Sequence, residues 1–227
     1  MTLSAAAGER IGIVGPNGAG KSTFLSLLAG LERPSEGRVL LDGVPLSSLG
    51  ARARARRLAF LPQEPACAFP FEVRNIVAMG RHPHGRGDAP ADRDAVAAAL
   101  RDCDLEFLAA RPVTSLSGGE RKRVFLAQCL AQTPAVLLLD EPTAHLDFLH
   151  ASAFESALRS AAERGMAVIF ATHDLPFAAR ACDRALLLSS GLPFAQGPAA
   201  AILDPATLAK AYGRIPGAAP SVPGAGA

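Results

Sequence analysis

A glycine-rich stretch near the amino terminus constrains the fold of this chain more than any other feature. Arg10–Val14 (RIGIV) is a short apolar run with β-branched residues, which predicts a buried strand. Gly15–Thr23 (GPNGAGKST) follows, and Phe24, Leu25 and Leu28 then recur at helical spacing. The chain therefore places a strand, a tight glycine turn and a helix in immediate succession, as an α/β domain does.

The turn fits the pattern G-x-x-x-x-G-K-S, whose residue types suit a phosphate group. Glycines allow positive φ angles and a close approach of main-chain amides to oxygen atoms. The amides converge at the positive end of the following helix. We expect Lys21 to reach the β- and γ-phosphates of a nucleotide and the Ser22 hydroxyl to bind Mg²⁺. A chance match is the alternative, and the flanking strand and helix argue against it.

A second apolar run ends in two carboxylates. Ala135–Leu139 (AVLLL) predicts a central parallel strand that is buried on both faces. Asp140 and Glu141 leave its carboxyl end, where open α/β sheets bind ligands. We expect Asp140 to hold Mg²⁺ directly or through water, and Glu141 to polarise a water in line with the γ-phosphate. Alone, such a pair would indicate a solvated strand end, but the phosphate loop upstream favours a site.

A further strand brings a histidine to the same edge of the sheet. Met166–Thr172 (MAVIFAT) predicts this strand, and His173 follows it directly. From that position the ring can form a hydrogen bond with the γ-phosphate or the attacking water. Asp147 is a candidate for a contact across a dimer interface, whereas we interpret His145 and His150 as surface or packing residues.

Leu116–Glu120 (LSGGE) predicts a helix start with bare amides. Ser117 and Glu120 form an S-x-x-E capping box. Gly118 and Gly119 each cost about 1 kcal/mol of helix stability, so their presence suggests that a ligand approaches the first turn. A single compact domain offers no evident way to fold this turn onto the phosphates held by the first glycine loop. If both turns touch ATP, two copies of the chain must meet face to face.

Taken in order, these motifs resemble those of ATP-binding cassette (ABC) ATPase domains over nearly the whole chain. The resemblance implies an α/β P-loop NTPase fold with a RecA-like core, a helical signature subdomain and a truncated N-terminal antiparallel sheet. It implies that ATP and Mg²⁺ bind. The residues it assigns to the nucleotide are Gly15, Pro16, Asn17, Gly18, Ala19, Gly20, Lys21, Ser22 and Thr23 (Walker A loop), Ser117, Gly118 and Gly119 (signature, on the γ-phosphate in the opposite subunit) and Asp147 (D-loop). Those it assigns to hydrolysis and Mg²⁺ are Glu141 (catalytic glutamate), His173 (switch histidine), Gln63 (Q-loop glutamine), Asp140 (Walker B) and Ser22.

Three longer segments resemble one branch of these proteins, the ATPase subunits of importers for iron(III) complexes, haem or cobalamin. They are FLPQEPACAFPFEVRNIVAMGRHPH, DEPTAHLDFLH and THDLPFAARACDRALLL. This resemblance implies a second copy of the chain, a membrane permease and, indirectly, a substrate-binding protein as partners. It also implies a cytoplasmic position on the inner face of the membrane. We expect Phe69 and Phe71 to be exposed and to receive a short helix of the permease.

Other classes of protein fit less well. A soluble ABC ATPase without a permease, such as one that serves iron–sulfur cluster assembly, is the alternative that stays open. A chromosome-maintenance ATPase needs a long coiled coil, for which the segment between Thr23 and Ser117 is too short. A phosphate-loop kinase would leave LSGGE unexplained. A membrane-spanning helix needs about 18 apolar residues, and no apolar run in the sequence approaches that length. The net charge of +2 gives no reason to expect nucleic acid as a partner.

The pattern of elements predicts one domain over residues 1–213. Its core covers about 1–63 and 134–213, and a helical subdomain covers about 64–133, with an amphipathic helix at Asp92–Cys103. Asp204 and Pro205 predict the start of a late helix. Residues 214–227 are rich in proline, glycine and alanine, and we expect them to be disordered.

One departure from the family pattern concerns the amino terminus. Met1–Val14 contain no aromatic residue, whereas ABC ATPases usually carry an extra strand and an adenine-stacking aromatic before the phosphate loop. We therefore expect weak base stacking, Thr2–Ser4 as the remnant of a strand in the small antiparallel sheet, and an unpaired edge around Val39–Leu41. The alternative is that the true start of the protein lies upstream.

Overall fold

The computed structural model describes residues 2–85 and 89–212, in which strands and helices alternate. The strands are β1 (Arg10–Val14), β2 (Leu40–Leu41), β3 (Val44–Pro45), β4 (Leu58–Leu61), β5 (Val136–Asp140), β6 (Ala167–Thr172), β7 (Arg184–Ser189) and β8 (Leu192–Pro198). The α-helices are α1 (Lys21–Ala29), α2 (Ala51–Ala55), α3 (Val73–Met79), α4 (Pro90–Asp102), α5 (Gly118–Ala131), α6 (Phe148–Glu163), α7 (Leu175–Ala181), α8 (Ala199–Ile202) and α9 (Pro205–Tyr212). The segment 214–227, for which we expect disorder, lies outside the described residues.

A mixed six-stranded sheet forms the centre of the molecule, in the order β4-β5-β6-β1-β7-β8. Strands β4, β5, β6, β1 and β7 run parallel, and β8 pairs with β7 in the antiparallel direction. Val14 lies beside Thr172, and Asp140 lies beside Ala171, so the carboxyl ends of β1, β5 and β6 meet at one edge. The predicted fold class, an α/β domain with a helical subdomain, is confirmed.

Helices cover both faces of this sheet because successive strand residues point to opposite sides. Ile11 and Ile13 pack with Leu25 of α1 in one apolar cluster. Phe170, one strand further, belongs to a larger cluster on the other face, where its ring lies 5.2 Å from that of Phe177 in α7. The end of β5 that carries Asp140 therefore lies between helices that pack on the two faces of the sheet.

Helices α3, α4 and α5 pack on one another beside the sheet. Arg81, which follows α3, forms a buried ion pair of 2.7 Å with Asp92 of α4 and donates to the carbonyl of Ala131 at the end of α5. The guanidinium of Arg81 thus links the end of α3 to both α4 and α5. The boundaries of the helical subdomain at about 64 and 133 stay a prediction.

Two details of the amino-terminal expectation are wrong. Thr2–Ser4 are not a strand, and Leu40–Leu41 are not unpaired but pair with Val44–Pro45. The reason is local: Asp42 and Gly43 both adopt positive φ, which closes a two-residue hairpin without any distant partner. The small sheet is thus a two-stranded hairpin.

Two other expectations from the sequence concern helices. The predicted helix at Asp92–Cys103 is α4, and Asp204 accepts hydrogen bonds from the amides of Ala206 and Thr207 at the start of α9. In the described part of the chain, no helix combines the length and apolarity that crossing a bilayer requires.

Candidate functional site

The phosphate loop joins β1 to α1 across the carboxyl edge of the sheet. Gly15 has φ near +153°, and a Cβ at this position would overlap the carbonyl oxygen of Leu188, so only glycine fits. The ammonium of Lys21 is buried and donates to the carbonyls of Gly15 at 2.9 Å and Pro16 at 3.2 Å. Burial lowers the pKa of Lys21, and the charges of Glu141 and Asp140 oppose that shift. The Lys21 side chain thus folds back onto the phosphate loop and binds its carbonyl groups.

Ser22 and Asp140 form the contact between α1 and β5. The Ser22 hydroxyl donates to Oδ1 of Asp140 at 3.1 Å. Burial raises the pKa of Asp140, the hydrogen bond from Ser22 lowers it, and the adjacent Glu141 raises it. A buried carboxylate beside a hydroxyl is the donor set that a hard divalent cation such as Mg²⁺ prefers. The residues present therefore fit the cation that the sequence predicts.

Glu141 and His173 leave neighbouring strands and meet above the sheet edge. Glu141 adopts φ near +46°, an uncommon conformation for a side chain of this size. Its Oε2 lies 2.9 Å from Nδ1 of His173 and accepts from the His173 amide at 3.4 Å. Both residues line a cavity of about 320 Å³ with Thr143, Ala144, His145, Leu146, Thr172 and Asp174. The carboxylate and the imidazole thus contact each other directly, and both border the cavity that a water could enter.

Gln63 lies in a second cavity, of about 220 Å³. The residues around it come from three places, the segment after β4, the start of α5 and the loop after Glu141. They are Gln63, Glu64, Pro65, Gly118, Arg121, Lys122, Ala144, His145 and Leu146. The loop 144–146 borders both cavities, so it separates the side of Gln63 from the side of Glu141 and His173.

The predicted capping box opens α5. Ser117 Oγ accepts from the amide of Glu120 at 3.2 Å, and Oε2 of Glu120 accepts from the amide of Ser117 at 2.8 Å. That amide is the main reason why the pKa of Glu120 lies below its ordinary value. The first turn of α5 is thus fixed before any ligand arrives.

The two signature glycines have different surroundings. A Cβ on Gly118 would meet no atom within 4 Å, whereas a Cβ on Gly119 would overlap the ring of His150. Our interpretation that both glycines make room for a ligand is therefore too broad, because Gly119 makes room for a side chain of its own chain. His150 is a packing residue, as we interpreted it.

Asp147 caps the amino terminus of α6. Its Oδ1 accepts from the amide of His150 at 2.9 Å. The next two residues, Phe148 and Leu149, are 81% and 76% exposed. The cap accounts for an aspartate at this position within one protomer, and its contact across a dimer interface stays a prediction.

Lys122 is the residue near the site that sequence reasoning missed. It is only 7% exposed, and its ammonium donates to the carbonyl of Glu141 at 2.6 Å and to that of Ala144 at 3.4 Å. In the sequence it belongs to the charged run Glu120–Arg123, which would ordinarily indicate a solvated helix face. No local pattern distinguishes a buried lysine in such a run from exposed ones.

Phe69 and Phe71 form an exposed aromatic pair, as predicted. They are 66% and 43% exposed, and their ring centroids lie 6.0 Å apart. The pair follows Gln63 along the chain, between β4 and α3.

The sequence and fold match known proteins. A family profile described as ABC transporter matches residues 1–144. The hemin import ATP-binding protein HmuV of Pseudomonas putida is 49% identical over 211 residues, which cover 91% of this chain and 82% of that protein. The cobalamin import ATP-binding protein BtuD of Halobacterium salinarum is 44% identical over 207 residues, or 90% of this chain and 52% of that protein. The dimeric post-hydrolysis structure of the ATP-binding cassette MJ0796, bound to ADP and Pi, has a TM-score of 0.76 and 28% identity, and the match covers 87% of this chain and 88% of that one.

Proposed function

The chain belongs to the ABC transporter family, and we propose on that premise that it hydrolyses ATP to drive import through a partner permease. It is an importer ATP-binding subunit with ATPase activity, as family membership and the import proteins among its relatives indicate. The observation that carries the site assignment is the meeting of three strand ends, where Ser22 contacts Asp140 and His173 contacts Glu141. The alternative of a soluble iron–sulfur assembly ATPase is not favoured by these relatives.

Nucleotide binding begins at the phosphate loop, Gly15–Thr23. In our proposal the amides of this loop surround the β- and γ-phosphates, and the Lys21 ammonium moves from the carbonyls of Gly15 and Pro16 to phosphate oxygens. Charge-assisted hydrogen bonds to phosphate then replace weaker bonds to neutral carbonyls. Lys21 is therefore the main cationic contact of this protomer with the nucleotide.

We assign the Mg²⁺ site to Ser22 and Asp140, with Gln63 as a further oxygen donor. The 3.1 Å contact between Ser22 and Asp140 supports the first two. Gln63 lies on the second cavity, so its part in the site rests on the family resemblance. When bound, the cation would neutralise charge on the β- and γ-phosphate oxygens.

Hydrolysis in this proposal uses Glu141 as the general base. Its carboxylate is held at the cavity by His173, so it is oriented before a water enters. The His173 ring is the more exposed member of the pair and can turn toward the γ-phosphate. Removal of a proton from the attacking water by Glu141 is the step on which turnover depends.

The functional unit is a dimer, as the dimeric structure of a related cassette indicates. We propose that Ser117, Gly118 and Gly119 of one copy contact the γ-phosphate held by the other, and that Asp147 lies at the same interface. Gly118 is exposed and has open space above it, which supports an approach of the partner's nucleotide. Loss of the γ-phosphate then removes the bond between the copies, so they separate.

The permease is the other partner that the importer relatives indicate. We propose that it docks on Phe69 and Phe71, because aromatic side chains exposed as a pair are unusual away from interfaces. This contact places the chain on the cytoplasmic face of the cell membrane. A substrate-binding protein on the opposite side would deliver the cargo, which we propose to be haem, an iron–siderophore or cobalamin.

The proposal is tested by transport in vesicles that contain the permease together with this subunit. ATP inside the vesicles should drive uptake of one cargo of the proposed class, and Lys21→Ala should abolish it while Lys210→Ala, on an exposed residue of α9, should not. Purification of the chain with a soluble scaffold in place of a membrane protein, and no ATP-driven uptake, would contradict the proposal.

A further inference from the structure

The buried lysine of α5 holds the main chain of the candidate base. The Lys122 ammonium donates to the carbonyl of Glu141 at 2.6 Å and to that of Ala144 at 3.4 Å. The carboxylates of Glu141 and Asp140 act on this ammonium through charge alone. The hydrogen bonds of Lys122 are thus made to the loop backbone and not to an ion-pair partner.

Hydrogen bonds hold the main chain of Glu141 at both its amide and its carbonyl group. Its amide donates to the carbonyl of Ala171 in β6 at 2.9 Å, and its carbonyl accepts from Lys122 and from the amide of Ala144 at 3.2 Å. Between these anchors the residue adopts φ near +46°, which an L-residue leaves readily unless its neighbours prevent it. In this conformation the carboxylate contacts His173, and a change in φ would move it, because the direction of Cβ follows the main chain.

Packing alone does not explain a lysine at this position. Position 122 is 7% exposed, and burial lowers the pKa of the ammonium, which means that the protein bears a desolvation cost for the charge. An apolar residue would fill the same space without that cost. The hydrogen bond of the ammonium to the carbonyl of Glu141 offsets part of this cost, and it is an interaction that an apolar residue could not make.

We propose that Lys122 is a positioning residue, which holds Glu141 in the conformation that hydrolysis requires and ties it to the first turns of α5. The inference rests on the proposed function, in which Glu141 is the base and Ser117 and Gly118 meet the partner's nucleotide. Within one protomer, Lys122 then links two groups that act on different nucleotides. One is helix α5, whose first turn contacts the ATP held by the partner, and the other is the carboxylate of Glu141, which acts on the ATP of its own protomer. Lys122 itself touches neither nucleotide.

Lys122→Met tests this directly, since methionine extends as far as the Cε position of lysine and removes the donor. Because small misplacements of a catalytic group are costly, we expect kcat to fall about tenfold to a hundredfold while the ATP dissociation constant and KM stay unchanged. Lys122→Gln keeps a donor and should recover most of the lost rate. Lys210→Met, on the exposed face of α9, is the matched control and should behave as the parent.

A merely structural lysine would give a different pattern. ATP affinity, the thermal unfolding midpoint and kcat would then fall together in Lys122→Met, and Lys122→Gln would not restore turnover selectively. That pattern, or a Lys122→Met variant with parental kcat, would overturn the inference. If Glu141→Gln in parallel abolishes turnover, the proposed function stands while the inference fails; if Glu141→Gln also turns over normally, the proposed function itself fails.

Discussion

Nδ1 of His173 lies 2.9 Å from Oε2 of Glu141, so the two candidate groups for hydrolysis are in hydrogen-bonding contact. The carboxylate side chain is 10% exposed and the histidine side chain 58%. A ligand in the cavity therefore reaches the ring first and the carboxylate behind it. The register of β5 and β6 sets this order, since the two residues leave adjacent strand ends.

Replacement of the ring tests whether this contact matters for turnover. In His173→Ala we expect kcat to fall about a hundredfold, the size typical of a lost proton-transfer or orienting group. ATP affinity should be kept, because Lys21 is untouched. The measurement is steady-state phosphate release, with His82→Ala, an exposed histidine, as the control. Parental kcat in His173→Ala would remove the histidine from the mechanism.

Removal of the Lys21 ammonium from the phosphate loop should weaken ATP binding. In Lys21→Ala we expect the ATP dissociation constant to rise about tenfold to a hundredfold, as loss of a charge-assisted hydrogen bond implies. Equilibrium titration with ATP checks this, and Lys210→Ala is the control. Equal affinity in the Lys21→Ala variant and the parent would contradict the assignment of the phosphate loop.

The two signature glycines allow a matched test of stability. Gly118→Ala should raise the free energy of unfolding by up to about 1 kcal/mol, because alanine favours a helix and the space is open. Gly119→Ala should lower the same quantity by about 1–2 kcal/mol, because the methyl group overlaps the ring of His150. Urea unfolding of the two variants measures both changes.

The His150→Ala background provides the control for this pair. With the ring absent, Gly119→Ala should no longer destabilise the protein, and the coupling energy of the double-mutant cycle reports the clash. A Gly119→Ala variant that is equally destabilised in both backgrounds would show that the ring is not the obstacle.

The ion pair of Arg10 and Asp183 should make the free energy of unfolding depend on pH. Arg10 donates to Asp183 from its amide and guanidinium, which holds the pKa of Asp183 below its ordinary value. A lowered pKa in the folded state means that the stabilisation is complete above the ordinary pKa and is lost as the pH falls through the folded-state value. Asp183→Asn should cost no more than about 1 kcal/mol at neutral pH, since the carboxylate is 45% exposed.

Urea unfolding of Asp183→Asn across a series of pH values checks this sign. The difference from the parent should shrink as the pH falls below about 4, where Asp183 of the unfolded chain begins to take up a proton while the folded protein still holds it ionised. A difference that stays constant or grows in acid would contradict the account.

Local sequence patterns predict several elements of this structure. The run Arg10–Val14 is strand β1 because it is apolar and rich in β-branched residues and a glycine follows it, and the S-x-x-E spacing at Ser117 sets a helix start. Each of these depends on neighbours within a few residues, which is why the sequence predicts them well.

Features that depend on distant partners could not be predicted in the same way. Leu192–Pro198 contains two prolines and a glycine, yet it is strand β8, because β7 offers it a pairing edge. The burial of Lys122 depends on a loop that follows it along the chain, and the constraint on Gly119 depends on a ring from α6. A run of charges or a pair of glycines gives no signal of such contacts.

Two copies that clamp ATP between them are central to the proposed mechanism, and the molar mass of Glu141→Gln with ATP tests this arrangement most directly. Light scattering should give a dimer with ATP, a monomer without it, and a monomer with ATP when Ser117→Arg is added. A Glu141→Gln variant that binds ATP yet stays monomeric, and to which Ser117→Arg makes no difference, would contradict it.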